Sequence, residues 1–139
     1  MASDPHIVVF SSLFPSATQP MAGLFIRERM FRVGRQLPLV VVSPVPWFPL
    51  QGLLRRFKPG FRLGAPPHEV QHAHDVWFPR FLSVPGLFKG LDGWLMALGA
   101  LPRLRALKRA GRLALIDAHF GYPEGYAATL LGRWLGVPV

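Results

Sequence analysis

A single histidine, His119, directly follows a short apolar run near the end of this 139-residue chain. The run predicts a buried strand over 113–117, and ligands of parallel α/β sheets bind beyond the carboxyl ends of the strands. A neutral imidazole at that place can donate a hydrogen bond to, or accept one from, a sugar hydroxyl or a phosphate oxygen. His119 is therefore a candidate ligand-binding residue. The alternative is a histidine that only satisfies backbone groups in the turn.

A glycine, Gly23, precedes the first predicted helix and follows a proline-bounded loop over 14–20. A glycine there lets a ligand approach unpaired backbone N–H groups at the positive end of the helix dipole, which favours phosphate or diphosphate. The surrounding sequence is neither a Walker loop nor a GxGxxG fingerprint. Gly23 is therefore a candidate anion contact, or a residue that only terminates a turn.

Three histidines, His68, His72 and His74, share parity and would lie on one face of a single strand, with Asp75 beside them. Such a group could bind a metal ion. The sequence offers no convincing fourth ligand, so no metal site and no cofactor are predicted. The chain also lacks the GxSxG elbow of α/β hydrolases.

The length and composition are typical of one compact, ordered domain without disulfide bonds. Half of the residues are hydrophobic, 17% are charged and none is cysteine. The net charge of +9 is carried mostly by arginine. It allows an anionic partner, or reflects the amino-acid bias of a GC-rich genome. The sequence contains no recognisable motif that binds a specific nucleic-acid sequence. The longest apolar stretch, 91–101, is about half of a membrane-spanning helix.

Periodicity predicts an open, mostly parallel Rossmann-like sheet with helices on both faces. The predicted strands are 6–11, 39–43, 69–76 and 113–117. One helix follows Gly23, a second follows Leu91 and is kinked or restarted at Pro102, and a third opens at Pro123.

The expected buried faces follow from helical spacing. The first helix should end at Gly34, the third at Gly136, and residues 137–139 should begin a fifth strand. Leu95 and Leu98 of the second helix should pack on the sheet. The other expected buried positions are Ile26, Met30, Val33 and Leu37 in the first helix, and Tyr126, Ala127, Leu130, Leu131, Trp134 and Leu135 in the third.

With these residues in view, the chain resembles the amino-terminal half of a family-4 glycosyltransferase, an enzyme of the GT-B fold found in polysaccharide biosynthesis. The likeness covers most of the chain. Its most specific parts are the first loop, from Leu13-Phe14-Pro15 to Phe25, and the stretch from Ile116 to Gly125; weaker matches are 42–49 and 135–139.

The resemblance implies a retaining transferase that moves a sugar from a nucleotide-sugar to a glycan or lipid-linked acceptor. The position of Gly23 would lie over the donor phosphates and acceptor, and His119 would face the transferred sugar or acceptor hydroxyls. Tyr122 and Glu124, in the same matching stretch as His119, are also expected to bind substrate. No catalytic residue is assigned within this chain.

The family's nucleotide site and its spaced glutamates belong to a carboxy-terminal domain that nothing in this chain matches. Residues 1–139 are therefore expected to form an incomplete amino-terminal domain, bacterial and cytoplasmic, that does not catalyse transfer alone. The alternative is a stand-alone Rossmann-like binding module for an anionic ligand.

A proline-rich loop over 44–67 interleaves aromatic residues with cations, among them Arg55, Arg56 and Lys58. Apolar and aromatic groups flanked by cations are typical of surfaces that rest on acidic lipid head groups. These three residues are therefore predicted to contact the acceptor or an anionic membrane surface, which would make the protein peripheral on the inner face of the cytoplasmic membrane.

Overall fold

The computed structural model describes residues 5–47, 67–83 and 89–139 of the chain. They form an α/β domain with a mixed, mostly parallel sheet, compatible with a Rossmann-like fold. In chain order the elements are β1 (Ile7–Phe10), α1 (Leu24–Val33), β2 (Leu39–Val42), β3 (Val45–Trp47), β4 (His68–Gln71), β5 (His74–Trp77), β6 (Arg80–Leu82), a 3₁₀ turn (Lys89–Leu91), α2 (Asp92–Arg109), β7 (Leu115–Ala118), a wide turn (Gly121–Gly125) and α3 (Tyr126–Leu135).

The main sheet has the strand order β4-β5-β2-β1-β7. Strand β1 is central and pairs in parallel with β2 and β7, so that Ile7 lies opposite both Leu39 and Leu115. Strand β5 continues the parallel set beside β2, while β4 is antiparallel to β5. A separate parallel pair, β3 with β6, stands beyond the ends of β2 and β5.

The sheet buries both of its faces, as continuous valine-rich strands require. Val8 and Phe10 belong to one core cluster with residues of α2 and α3. Val9, between them, belongs to a second cluster with Ile26 and Met30 of α1. Because neighbouring strand residues point to opposite faces, α1 covers one face and α2 with α3 cover the other. The predicted arrangement of helices on both faces is confirmed.

The third predicted strand, 69–76, is wrong as a single strand. It is a hairpin in which Gln71 pairs with His74 and two residues form the turn. Those residues, His72 and Ala73, have φ values of 49° and 67°. Two positive φ angles are typical of the type I′ turn, which is usually marked by Asn-Gly or Asp-Gly. Because His72 lies in the turn, the three histidines do not line one strand face.

Helix α1 ends before Gly34 and buries Ile26 and Met30, as predicted. Leu37 is 51% exposed, so its predicted burial is wrong. The helical spacing that placed Leu37 on the buried face stops applying once the helix has ended at Val33.

Helix α2 passes through Pro102 without a break, so of the two predicted alternatives, a kink or a restart, the restart is wrong. Proline has no N–H, so the Leu98 carbonyl receives no helical hydrogen bond from Pro102. Both residues lie on the exposed side of the helix. Water can therefore satisfy that carbonyl. Leu95 packs against the core as predicted, but Leu98 is 40% exposed and its predicted burial is wrong. None of the helices in the described part of the chain is long and apolar enough to cross a membrane.

Helix α3 packs on the sheet through Ala127, Ala128, Leu131 and Leu135 and ends at Gly136, whose φ is +70°. Two of its aromatic residues were predicted to be buried and are not. Tyr126 is 49% exposed and Trp134 is 43% exposed, because the two small alanines bring α3 close to its neighbours and turn the larger rings outward.

Residues 137–139 were expected to begin a fifth strand, and the structure assigns no strand there. The segment nevertheless lies beside β7, since the Ile116 N–H donates to the Pro138 carbonyl at 2.9 Å.

Candidate functional site

The strand order reverses at β1, which has β2 on one side and β7 on the other. In open α/β sheets this reversal leaves a crevice beyond the carboxyl ends of the two strands, where ligands bind. Ser11 and Ser12 follow β1 there, and His119 follows β7. The His119 N–H donates to the Phe10 carbonyl at 3.0 Å, which holds the two loops together.

A buried acid, Glu124, lies in the loop that follows β7. Its side chain is 2% exposed and its Oε1 accepts a hydrogen bond from Ser12 Oγ at 3.1 Å. Burial raises the pKa of Glu124, and the hydrogen bonds from Ser12 and from its own backbone oppose that rise only in part. A carboxyl group that retains its proton more readily than usual therefore lies behind the Ser12 hydroxyl.

A cavity of about 370 Å³ opens at the same edge of the sheet. Its wall carries four serine hydroxyls, one amide and one carboxylate, and three aromatic rings complete it. The polar residues are Ser12, Ser16, Ser43, Ser83, Gln19 and Asp92, and the aromatic ones are Phe14, Phe78 and Phe81. Pro123, in the loop beside Glu124, also lines the cavity.

The backbone positions these serines by extending strand pairing one residue past the strand ends. The Ser43 N–H donates to the Trp77 carbonyl at 2.8 Å, and the Ser83 N–H donates to the Trp47 carbonyl at 2.9 Å. In the first loop, the Gln19 N–H donates to Ser16 Oγ at 3.2 Å. Strand pairing thus positions Ser43 and Ser83, and hydrogen bonds within the first loop position Ser16 and Gln19.

The first loop is held from outside by polar side chains of β4. Glu69 Oε1 accepts from the Ala17 N–H at 2.7 Å, and Gln71 Nε2 donates to the Pro15 carbonyl at 2.9 Å. Gly23 precedes α1 as predicted, with φ +64°, and a Cβ there would overlap the Leu13 carbonyl. Gly23 is not among the residues that line the cavity, and close packing of the loop is the role that the structure gives it.

The side chain of His119 is 13% exposed and does not line the cavity. Its Nε2 lies 3.5 Å from Asp117 Oδ2 and is buried without a hydrogen bond among the described residues. The next residue, Phe120, has φ 79° and ψ 147°, a region that is essentially restricted to glycine. Local backbone strain therefore follows directly after His119.

Tyr122 is half-exposed, and its hydroxyl accepts a hydrogen bond from the Gly93 N–H at 3.3 Å. Three of the four predicted substrate residues, His119, Tyr122 and Glu124, thus belong to one loop at the carboxyl edge, while Gly23 lies behind the other loop. Sequence reasoning missed the serines. Their signal was a serine placed directly after an apolar strand, as in Phe10-Ser11-Ser12, Val42-Ser43 and Leu82-Ser83.

The described part of the cavity wall contains no lysine or arginine, and its only acid is Asp92. Among the described residues no group of three potential ligands could hold a metal ion. The predicted contact residues Arg55, Arg56 and Lys58 lie outside the described residues. The described serine and glutamine side chains can form hydrogen bonds with a polar ligand, and the aromatic rings can pack against its apolar parts.

Comparison with known protein families, with curated proteins and with solved structures found no match to this chain. The resemblance to family-4 glycosyltransferases therefore stays a prediction from the sequence, and any function has to be argued from the cavity and its surroundings.

Proposed function

We propose that this chain is the acceptor-side domain of a retaining glycosyltransferase of the GT-B type. Such an enzyme transfers a sugar from a nucleotide-sugar, bound mainly by a second domain, to a glycan or lipid-linked acceptor. The observation that carries the proposal is the cavity at the carboxyl edge of the parallel strands, with its serine hydroxyls and aromatic wall.

Sugars combine many hydroxyl groups with apolar ring faces, and the cavity offers partners for both. Serine hydroxyls both donate and accept hydrogen bonds, and an amide supplies one of each kind. Phe14, Phe78 and Phe81 provide flat apolar surface for the C–H groups of a sugar ring. The volume of about 370 Å³ lies within the range of small-molecule sites.

The described part of the cavity wall carries the Asp92 carboxylate and no lysine or arginine. In this proposal the donor phosphates belong to the second domain, as the resemblance implies.

Glu124 and His119 have distinct roles in this proposal. Glu124 fixes the direction of the Ser12 hydroxyl, because the Ser12 proton is donated to Glu124 Oε1. The oxygen lone pairs of Ser12 then remain to accept a hydrogen bond from an acceptor hydroxyl. His119 carries a buried Nε2 that forms no hydrogen bond among the described residues, and a sugar hydroxyl would satisfy it.

The test is a transfer assay with the chain joined to the nucleotide-sugar domain of a family-4 enzyme. UDP-glucose, UDP-galactose and GDP-mannose serve as donors, with oligosaccharide acceptors. Release of nucleoside diphosphate should depend on the acceptor and should fall at least tenfold in His119→Ala and Glu124→Ala. Arg105→Ala, on the exposed side of α2, is the control. Acceptor-independent release, or full activity in both variants, would contradict the proposal.

The predicted contact with acidic lipid is part of the same proposal. It depends on Arg55, Arg56 and Lys58, which the structure does not describe. Reversal of these three charges should weaken binding to anionic vesicles without changing the sugar site.

A further inference from the structure

A smaller cavity, of about 240 Å³, lies at the amino end of the sheet, between the second half of α1 and the hairpin of β4 and β5. Its wall combines two arginines, two histidines, one carboxylate and one aromatic ring. These residues are Arg32, Arg35, His72, His74, Glu28 and Phe31. We call this cavity the arginine–histidine pocket.

Both histidines of the pocket are positioned by packing. Phe31 is partly buried and packs against the core cluster under α1. Its ring centroid lies 5.5 Å from that of His72 and 4.7 Å from that of His74. The His74 ring also lies directly over Gly34, where a Cβ would come within 2.7 Å of its Cε1 and Nε2 atoms. The fold itself therefore holds both imidazoles against one ring.

The backbone at His72 is unusual for the residue that it carries. Its φ of 49° is a conformation that asparagine, aspartate or glycine would adopt at lower cost in a hairpin turn of this kind. Costly backbone conformations are a reason to look for a functional role. Here the conformation places an imidazole beside Phe31 and at the wall of the pocket.

The donor groups of the pocket are not engaged elsewhere in the described part of the chain. Neither Arg32 nor Arg35 forms an ion pair with a described carboxylate, including Glu28. The side chains of His72 and His74 contact Phe31 and form no ion pair with another described residue. Four side chains that can donate hydrogen bonds thus line one small cavity.

The charge of this wall depends on the protonation of the imidazoles. Two guanidinium groups exceed the Glu28 carboxylate by one positive charge, and the carboxyl end of α1 contributes roughly −0.5 of an elementary charge. The net charge is therefore small while His72 and His74 are neutral. Histidine gains its proton between about pH 8 and about pH 5, and each protonated imidazole adds a full positive charge. An anion should therefore bind more tightly as the pH falls.

The chemistry and size of the pocket favour a phosphate group among anions. Guanidinium groups present a planar fork of N–H donors that matches phosphate oxygens, and a protonated imidazole donates from both nitrogens. A phosphate group has more oxygens than a carboxylate with which to meet four such side chains. The volume of about 240 Å³ is below the usual range of about 300–1,000 Å³ for small-molecule sites, so it suits one small group.

We propose that the arginine–histidine pocket binds a phosphate group, and binds it more tightly when His72 and His74 are protonated. The phosphate is either the free ion or an ester whose remaining part extends into solvent. The pocket is separate from the proposed sugar site at the carboxyl end, and this inference does not rest on that function.

The test follows the NMR signals of the imidazole Cε1–H groups during titration with inorganic phosphate, glycerol 3-phosphate and glycerol at constant pH and ionic strength. Both phosphates should shift the His72 and His74 signals saturably. His119, at the other end of the sheet, and His68, which is hydrogen-bonded to Asp75, should not move. Equal affinities would identify the free ion as the ligand, and tighter binding of glycerol 3-phosphate would identify an ester.

Arg35→Gln should weaken the binding of inorganic phosphate roughly fivefold, because the phosphate loses a charged hydrogen-bond donor. Arg29→Gln is the matched control. It removes the same charge from the same helix at a position that does not line the pocket, and it should leave the affinity nearly unchanged.

Sulfate separates the charge of the pocket from that of the ligand, because sulfate keeps its double negative charge near neutral pH. Its affinity should rise roughly threefold or more from about pH 7.5 to about pH 6, as the imidazoles gain protons. His72→Gln should reduce that rise. An affinity that stays constant over this range would show that the imidazoles do not contribute and would overturn the proposal as stated.

Three other results would overturn the phosphate site itself. The first is the absence of saturable shifts at His72 and His74 with either phosphate. The second is equal weakening in Arg35→Gln and Arg29→Gln, which would mean that phosphate responds only to net charge. The third is that glycerol shifts the same signals as strongly as glycerol 3-phosphate, which would mean that the pocket recognises hydroxyl groups.

Discussion

The two ends of the parallel sheet differ in how deeply their polar groups are buried. At the carboxyl end, polar residues are buried. All of the described residues that are both polar and buried follow a strand on this side, namely Ser11, Ser16, Ser43, Ser83 and Glu124. At the amino end, the charged side chains are partly exposed, although Arg112 Nε is buried without a hydrogen bond among the described residues. Asp75 and Arg112 approach to 3.7 Å with side chains 39% and 41% exposed, and Lys108 reaches the Leu135 carbonyl.

This difference indicates that the carboxyl end of the sheet is the end at which function was selected at the expense of stability. Burial of a polar group costs free energy unless hydrogen bonds replace those with water. The amino end bears less of that cost, because the Asp75 and Arg112 side chains are partly exposed and such ion pairs contribute little. The carboxyl end carries buried hydroxyls, a buried acid and a strained Phe120 in one region. Strain and buried polarity of this kind concentrate at functional sites.

The largest expected effect concerns two glycines with the same backbone conformation at opposite ends of the sheet. Gly23 and Gly136 have φ values of +64° and +70°. A Cβ at Gly23 would overlap the Leu13 carbonyl, whereas the nearest atom to a Cβ at Gly136 is Lys108 Nζ at 3.9 Å. Gly23→Ala should therefore lower the free energy of unfolding by about 3 kcal/mol or more.

Gly136→Ala is its control and should cost only about 1 kcal/mol, the penalty of a left-handed conformation without a steric clash. Urea unfolding of the two variants measures both values. Equal losses would show that the packing of the first loop against Leu13 does not constrain the carboxyl end.

The next effect is a pH dependence that only the carboxyl end should show. Burial raises the pKa of Glu124 in the folded chain. As pH rises above the ordinary pKa, the unfolded chain releases this proton first, so the wild type loses stability until pH passes the raised value. Glu124→Gln should match the wild type near pH 4 and exceed it at pH 7 by about 1.4 kcal/mol for each unit by which the pKa is raised.

Asp75→Asn is the matching acid-to-amide change at the amino end. It should lower the free energy of unfolding by less than about 1 kcal/mol, since its partners are solvent-exposed. Thermal unfolding across this pH range compares the two variants. A Glu124→Gln variant less stable than the wild type at pH 7 would mean that the ionised carboxylate is stabilised, contrary to the burial argument.

A smaller effect should appear at Phe120, whose φ and ψ of 79° and 147° suit only glycine. The ring is 49% exposed, so its loss costs little packing. Phe120→Gly should be more stable than Phe120→Ala by about 1 kcal/mol, because glycine releases the backbone strain and alanine keeps it. Chemical denaturation distinguishes them. The reverse order would mean that the loop after β7 is not strained.

The smallest effect is expected at the amino end, where Lys108 donates a hydrogen bond to the carbonyl of Leu135 in the last turn of α3. Lys108→Met should lower the free energy of unfolding by about 0.5 kcal/mol, the usual value for a cation at a helix carboxyl end. Arg105→Met removes the same charge from an exposed position of α2 and should change stability less. An equal loss of stability in both variants would mean that the effect comes from the change in net charge and not from the hydrogen bond to Leu135.

Strand periodicity was sufficient to predict β1, β2 and β7 and helices on both faces, because runs such as Leu39–Val42 can only be buried on both faces. It did not predict the β3–β6 pair. It failed where local geometry overrode the pattern. The hairpin turn at His72 and Ala73 carries none of the usual turn residues, and the rings of Tyr126 and Trp134 fit helical spacing but turn outward.

None of the four predicted substrate residues lines the cavity, although His119, Tyr122 and Glu124 lie in the loop that contributes Pro123 to its wall. Position after a predicted strand identified His119, and Glu124 lies in the same loop. The serine wall was missed because its four serines come from three separate segments of the chain, the first loop and the ends of β2 and β6. A serine directly after an apolar strand is only a weak signal until the strands are placed side by side.

The central claim, that the carboxyl end of the sheet binds sugar, is tested most directly by amide chemical shifts of the ¹⁵N-labelled chain. Glucose, galactose, mannose and their tetrasaccharides are titrated in turn. We expect saturable shifts confined to residues 11–19, 43–46, 78–83 and 119–126, with residues 72–75 and 110–115 at the amino end unchanged. Shifts at the amino end alone, or no shift with any of the six sugars, would contradict the claim.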